Sequence, residues 1–166
     1  LGTGVLASGI KKELVSKENI EIAIASMSSL NKDAADILKQ FNPSAVTDIS
    51  GFGLLGHLKE VCENSNATAI IDFSKLKFLP GTRALAESGI IPGGTRRNYD
   101  YIKDFCEFNS TLSPVDHLLS ADAQTSGGLL IALNEVEAKK FIYSYNKDSA
   151  IIGVVEPRGK NLIKVI

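Results

Sequence analysis

The stretch Thr47-Asp48-Ile49-Ser50-Gly51-Phe52-Gly53-Leu54-Leu55-Gly56-His57 decides how the rest of the chain is read. Ala45 and Val46 lead into it as short strand material, and Asp48 puts a carboxylate at the strand's end. Beyond the glycines, Leu54, Leu55, Leu58 and Val61 recur at helical spacing. The pattern predicts a strand, a glycine turn and then a helix from about Gly53 to Glu63. Gly51 and Gly53 carry no Cβ, so the backbone there can turn sharply and approach another group closely. A helix N-terminus also offers free N–H groups and the positive end of its dipole, which favour anions. Asp48 beside such a turn suits a divalent metal carrying phosphate oxygens. A lone Asp at a strand end also serves as a helix cap or turn former, and at this point both readings stay open.

Outward from this stretch, strand and helix patterns alternate. Thr3 to Ile10 is short and mostly apolar, ends in Lys11-Lys12, and reads as a strand. Ser16 is a good N-cap for a helix whose apolar stripe is Ile20, Ile24 and Met27. Ala34, Ile37, Leu38 and Phe41 carry a second helix, closed by Asn42-Pro43. Ala69 to Phe73 is short and β-branched and reads as a buried strand. Pro80 to Glu87 reads as a short helix with proline in its first turn, and Ile90 to Asn98 as a loop around Pro92-Gly93-Gly94. Tyr101, Ile102, Phe105 and Phe108 suggest a helical turn or two, and Val115 to Leu119 another. Gly128 to Leu133 is a strand, Glu135 to Tyr145 a helix, and Ala150 to Val155 and Leu162 to Ile166 the last strands. With no repeat, linker or low-complexity tract, residues 1–166 read as one α+β domain, a mixed β-sheet packed with helices.

Composition excludes some classes. The chain has 166 residues with 44% hydrophobic content, enough for a packed core, and a net charge of −1 gives no basic face for nucleic acid. No apolar run approaches the roughly 20 residues of a membrane span. Cys62 and Cys106 stand far apart in no metal-ligand spacing. Without a CxxC pair or a signal-peptide pattern, they point to a reduced, cytoplasmic compartment and to structural roles. The chain starts at Leu1, inside a strand-like string, and so reads as a piece of something longer.

Two further glycine-rich strings carry polar groups. In Ser120-Ala121-Asp122-Ala123-Gln124-Thr125-Ser126-Gly127-Gly128-Leu129-Leu130, two hydroxyls, an amide and a carboxylate precede a glycine pair whose N–H groups could form an anion nest. The alternative is a tight turn whose Thr and Ser hydroxyls satisfy their own backbone. In Pro92-Gly93-Gly94-Thr95-Arg96-Arg97-Asn98, Arg96 and Arg97 could pin a phosphate bidentately or lie solvated on a surface turn.

Taken in order with the opening Leu1-Gly2-Thr3-Gly4-Val5-Leu6 and with Gly153-Val154-Val155-Glu156 near the end, these strings resemble selenophosphate synthetase, also called selenide, water dikinase. The resemblance covers essentially the whole chain but only the C-terminal half of that family's proteins. It implies a place in the wider superfamily of aminoimidazole ribonucleotide synthetase, whose members pair an N-terminal ATP-binding domain with a C-terminal α+β domain and dimerise through the N-terminal domains. It further implies that ATP, selenide and water give selenophosphate, AMP and phosphate, with magnesium. On the same resemblance, the reactive cysteine or selenocysteine, the essential lysine and most metal-binding aspartates belong to the other half. Neither Cys62 nor Cys106 matches that nucleophile.

One functional residue carries over. Asp48 matches the aspartate that serves the family as a metal ligand. Gly51, Gly53, Thr125, Ser126, Gly127 and Gly128 are the candidates for phosphate or substrate loops. Both loops are expected on one face, turned toward the missing half, with Gly127→Val harming activity more than folding. Ala123 departs from the proline that the family often has there. The partners implied are the chain's own N-terminal domain, a second copy in a homodimer, and small-molecule substrates. Two other readings remain open: half of a different ATP-dependent enzyme of the superfamily, and a non-catalytic binding or assembly module.

Overall fold

The computed structural model describes residues 1–166. Eight α-helices and six strands alternate along the chain and form two separate sheets, not the single mixed sheet expected from the sequence. The larger sheet has the order β3-β6-β2-β5, made from β2 (Ala67–Ile71), β3 (Cys106–Phe108), β5 (Gly153–Pro157) and β6 (Ile163–Val165). β2 pairs antiparallel with β5 and parallel with β6, and β3 joins β6 in parallel. The smaller is a two-stranded antiparallel ribbon of β1 (Ala45–Asp48) and β4 (Leu129–Ala132), in which Asp48 lies across from Leu129.

α4 (Gly53–Asn64) is the helix that the opening stretch predicts. Its Leu54, Leu55, Leu58 and Cys62 pack with Ala69, Ile71, Ile163 and Val165 of the large sheet in the main core. The helical spacing of those residues puts all four on one face. A second core joins Val5 and Leu6 of α1 (Thr3–Ile10), Ala23 of α2 (Lys17–Ser28), Leu85 and Ala86 of α5 (Thr82–Glu87), and Leu119 of α7 (Pro114–Ser120). A third, smaller one sets Ala34 and Leu38 of α3 (Lys32–Leu38) against Phe141 of α8 (Glu135–Tyr145), with Leu129 and Ile131 of the ribbon packed on it.

Several elements differ from the sequence reading, each for an identifiable reason. Thr3–Ile10 is helix α1, not a strand. Its first-turn N–H groups need acceptors, and no local side chain caps it. The cap comes from more than a hundred residues away: Asp122 Oδ2 accepts from Gly4 N (3.1 Å) and Val5 N (3.3 Å), and Gln124 Oε1 accepts from Gly2 N (3.1 Å) and Thr3 N (3.3 Å). The segment read as a loop around Pro92 is the start of α6 (Gly93–Ile102), with Pro92 as its N-cap. Gly-Gly at the first two positions hides the helix from propensity, and the inward Thr95 and Ile102 hold it. After α6, the expected helical turns reduce to a single 3₁₀ turn before β3. Proline does not enter α5, which begins two residues later at Thr82. The Ser16 cap forms as predicted, accepting from Asn19 N.

Asp122 is 1% exposed and also accepts from Thr95 Oγ1 (2.5 Å) and Gln124 Nε2 (3.3 Å). Burial pushes its carboxyl above the usual carboxylate range, and the bonds from Thr95, Val5, Gly4 and Gln124 pull it back down. Asp122→Ala would leave those donors buried without an acceptor. It is expected to lower unfolding free energy by about 3–5 kcal/mol in urea titration. In Asp122→Asn, the amide oxygen can keep the Gly4 and Val5 bonds while its nitrogen donates to the Thr95 hydroxyl, and the expected loss is about 1 kcal/mol. Similar losses for the two variants would refute the cap role.

Candidate functional site

Asp48 ends β1 with its side chain exposed, and its carboxylate neither accepts a hydrogen bond nor pairs with a cation of the chain. The backbone then dives inward: Ile49 is buried, its N–H donates to Gly128 O (3.0 Å), and its O accepts from Gly127 N (2.9 Å). These two bonds clamp the segment after Asp48 directly to the Thr125–Gly128 loop, so both lie at the same end of the ribbon. Asn31 Nδ2 secures the loop from the other side by donating to Gly127 O (3.0 Å).

The turn that follows is held at Ser50 and at the Gly51 carbonyl. Ser50 O accepts from Gly53 N (2.9 Å) and Gln124 N (3.0 Å). Ser50 N donates to His57 Nε2 (3.2 Å), and Ser50 Oγ lies at the same distance from that nitrogen. Gly51 O accepts from Asn98 Nδ2 (2.9 Å), which also donates to Ala121 O (3.2 Å). By contrast, the N–H groups of Gly51, Phe52 and Ser126 donate to no group of the chain. Gly51, Phe52 and Thr125 are exposed. The result is a small surface bearing one free carboxylate and several free amides, groups suited to a cation and to anionic oxygens respectively.

The glycines divide by what surrounds them. Gly53 has φ +69°, and a Cβ there would lie 2.7 Å from Asp122 O and 2.8 Å from Ala121 O. Gly127 has no room either, since a Cβ would meet Ile49 O at 2.4 Å. The close approach it permits is to its own chain. A valine there would strain the fold itself, against the expectation that Gly127→Val harms activity more than folding. Gly51 and Gly128 face open space, with nothing within 4 Å of a Cβ.

Arg96 and Arg97 are exposed on α6 and pair with no carboxylate. Arg96 borders an open cleft of about 230 Å³ with Tyr99, Asp100, Pro114 and Leu118. The inward members of their string are Thr95 and Asn98, which tie α6 to Asp122 and to the Gly51 turn. Sequence reading left the Asp122 and Gln124 string as either a ligand-facing loop or a tight turn that satisfies its own backbone. The structure turns both side chains inward, to cap α1. The signal that could have found them is the run Leu118-Leu119-Ser120-Ala121-Asp122-Ala123: an acid among small and apolar residues is a buried, partnered acid.

Both cysteines are structural. Cys62 is 1% exposed in the main core, and burial raises its thiol. Burial pushes the Cys106 thiol up to about 12. Neither is a thiolate near neutral pH.

Residues 23–166 match the family described as AIR synthase related protein, C-terminal domain. The chain belongs to that family. It is similar to curated proteins named selenide, water dikinase. That of Aliarcobacter butzleri is 40% identical over 163 residues, covering 95% of this chain and 47% of the relative. That of Campylobacter jejuni is 38% identical over 164 residues, covering 97% and 47%. That of Myxococcus xanthus is 34% identical over 171 residues, covering 100% and 48%. This member of the C-terminal domain family thus spans about half the length of the curated relatives it matches. The α+β class read from the sequence holds. No helix of the domain is long and apolar enough to cross a membrane.

The magnesium reading can be tested against the side chains present. No group of three His, Cys, Asp or Glu residues is placed to hold a metal ion. Magnesium is commonly bound through one or two carboxylates, with phosphate oxygens and water completing its octahedron. Asp48 fits as one such carboxylate because nothing in the chain engages it, and no second and third side-chain ligands stand beside it.

The division of glycines makes a direct expectation. Gly51→Ala and Gly128→Ala should leave the thermal midpoint within about 2 °C of wild type, whereas Gly127→Val should lower it by roughly 8 °C or more. Differential scanning fluorimetry of the four proteins decides it, and equal midpoints would refute the assignment.

Proposed function

We propose that this chain is the C-terminal domain of a selenide, water dikinase. In the whole protein it would help make selenophosphate from selenide, ATP and water, with release of AMP and phosphate. The observation that carries this reading is the surface at the end of β1, where the unengaged Asp48 carboxylate stands beside the free amides of Gly51, Phe52 and Ser126. Asp48 would supply one anionic ligand to magnesium, whose chemistry is to neutralise charge on the phosphates of ATP. The free amides would receive phosphate oxygens at close range, with Gly51 and Gly128 leaving the approach clear. Arg96 and Arg97, exposed on α6 and paired with no carboxylate, would be available to add positive charge.

Neither thiol suits the reaction's nucleophile, since Cys62 is buried in the core, Cys106 is partly buried against it, and burial raises both. An N-terminal domain of the same polypeptide would supply the nucleophile, the nucleotide cradle and the remaining carboxylates. Homodimerisation through that domain, and a cytoplasmic location in keeping with two free cysteines, complete the reading. The relatives' names support the selenide chemistry over phosphate transfer to an organic substrate.

Two outcomes follow. The chain alone should unfold cooperatively yet form no AMP from ATP and selenide, because its cores are complete and its chemistry is not. In the full-length protein, Asp48→Asn should cut selenide-dependent AMP formation on the order of 100-fold. Its thermal midpoint should stay unchanged, because the side chain is exposed and isosteric. Full activity at limiting magnesium in that variant would return Asp48 to a turn residue.

A further inference from the structure

We propose that His57 is a positioning residue for the turn after β1, fixing where the Asp48 carboxylate and the free Gly51 and Phe52 amides point; the inference rests on the functional reading above. Ser50 N donates to His57 Nε2 at 3.2 Å. A ring nitrogen that accepts from an amide carries a lone pair, so the imidazole proton sits on Nδ1, the side on which Glu60 Oε2 lies 3.9 Å away. The ring itself cannot drift. It is 12% exposed, packs edge-on against Phe52 with centroids 5.8 Å apart, and rises from α4, which Leu54, Leu55 and Leu58 anchor in the main core.

The consequence for the turn is specific. Ile49 is tied to the Gly127–Gly128 backbone, Gly51 O to Asn98, and Ser50 O to Gln124 and Gly53. The one remaining tie on Ser50 N–H is His57. Without it, the peptide between Ile49 and Ser50 is held only at its carbonyl, by Gly127 N, and can tilt about that bond. That peptide sits between Asp48 and the two free amides, so its tilt changes the angle between the carboxylate and the donors. The ring touches no ligand in this role. It acts through Ser50, as a group behind a metal ligand acts through the ligand.

The test uses side chains of different reach. In His57→Gln the amide oxygen lies about where Nε2 does and can accept from Ser50 N. In His57→Asn the shorter side chain reaches only the Nδ1 position and cannot. Amide exchange followed by NMR on this chain should show Ser50 N–H protected in wild type and in His57→Gln. It should exchange about tenfold faster or more in His57→Asn and His57→Ala. In the full-length protein, the magnesium concentration giving half-maximal AMP formation should rise about tenfold or more in the Asn and Ala variants and return near wild type in the Gln variant. Equal behaviour of Gln and Asn in either measurement, or unchanged Ser50 exchange in His57→Ala, overturns the proposal. A harmless Asp48→Asn with the Ser50 order intact would instead overturn the metal reading while leaving His57 as the tie on the turn.

Discussion

The buried carboxylate of Asp122 is the constraint on which the rest of this domain depends. It takes hydrogen bonds from two backbone amides of α1, from Thr95 of α6 and from Gln124 of its own loop. A carboxylate out of water is costly unless donors surround it, and a helix N-terminus is costly out of water unless acceptors do. Each solves the other's problem, with the positive end of the α1 dipole facing the acid. The same loop, through Gln124 N and the Ala121 and Asp122 carbonyls, packs against Ser50 and Gly53 at the start of α4. Strings from four distant parts of the sequence thereby meet in one buried polar cluster, and the domain's first helix exists because of residues near position 120.

This arrangement separates scaffold from site within each motif. In the string at 92–98, Thr95 and Asn98 are three apart and turn inward, while Arg96 and Arg97 between them turn out. In the string at 122–128, Asp122 and Gln124 face the cluster, while Thr125 is exposed and Ser126 keeps a free amide. At 48–53, Asp48 and the Gly51 and Phe52 amides face solvent, whereas Ile49 and Gly53 are buried. Polar residues spent on the inside are what allow the outward ones to be held still. A surface that presents one carboxylate and several amides without engaging them internally is unfavourable to leave unsolvated, which suits a face that meets water or a ligand and not a core.

Elements whose determinants are local were legible in the sequence. The α4 stripe, the Ser16 cap, the helix at Glu135–Tyr145 and the strands at β1 and β4 follow from spacing and capping within a few residues. The place of Asp48 at a strand end, ahead of a glycine turn, was legible as a local fact. What failed was what depends on distant partners. Thr3–Ile10 is apolar and short, a pattern that fits a strand or a buried helix equally, and its cap lies at Asp122 and Gln124. The start of α6 carries two glycines, and Thr95, three residues past the Pro92 N-cap, earns its place through an acid 27 residues on. The split into two sheets was invisible because the larger sheet packs on α4 and the ribbon on α3 and α8, contacts between distant segments that no strand pattern displays.

Glycine content, the feature that first marks these strings as functional, turns out to mix two demands. Gly53 and Gly127 are required by the chain itself, because carbonyl oxygens of Ala121, Asp122 and Ile49 occupy the space that a Cβ would need. Gly51 and Gly128 are required by nothing within 4 Å, and φ is unexceptional at both. A glycine that the fold does not need still lowers stability through the entropy of the unfolded chain. Such a cost is tolerated where something outside the chain must come close to the backbone. On this argument the two open glycines, one three residues past β1 and one just before β4, mark the side of the domain open to close approach more sharply than the motif as a whole. The crowded pair marks only the machinery that holds it.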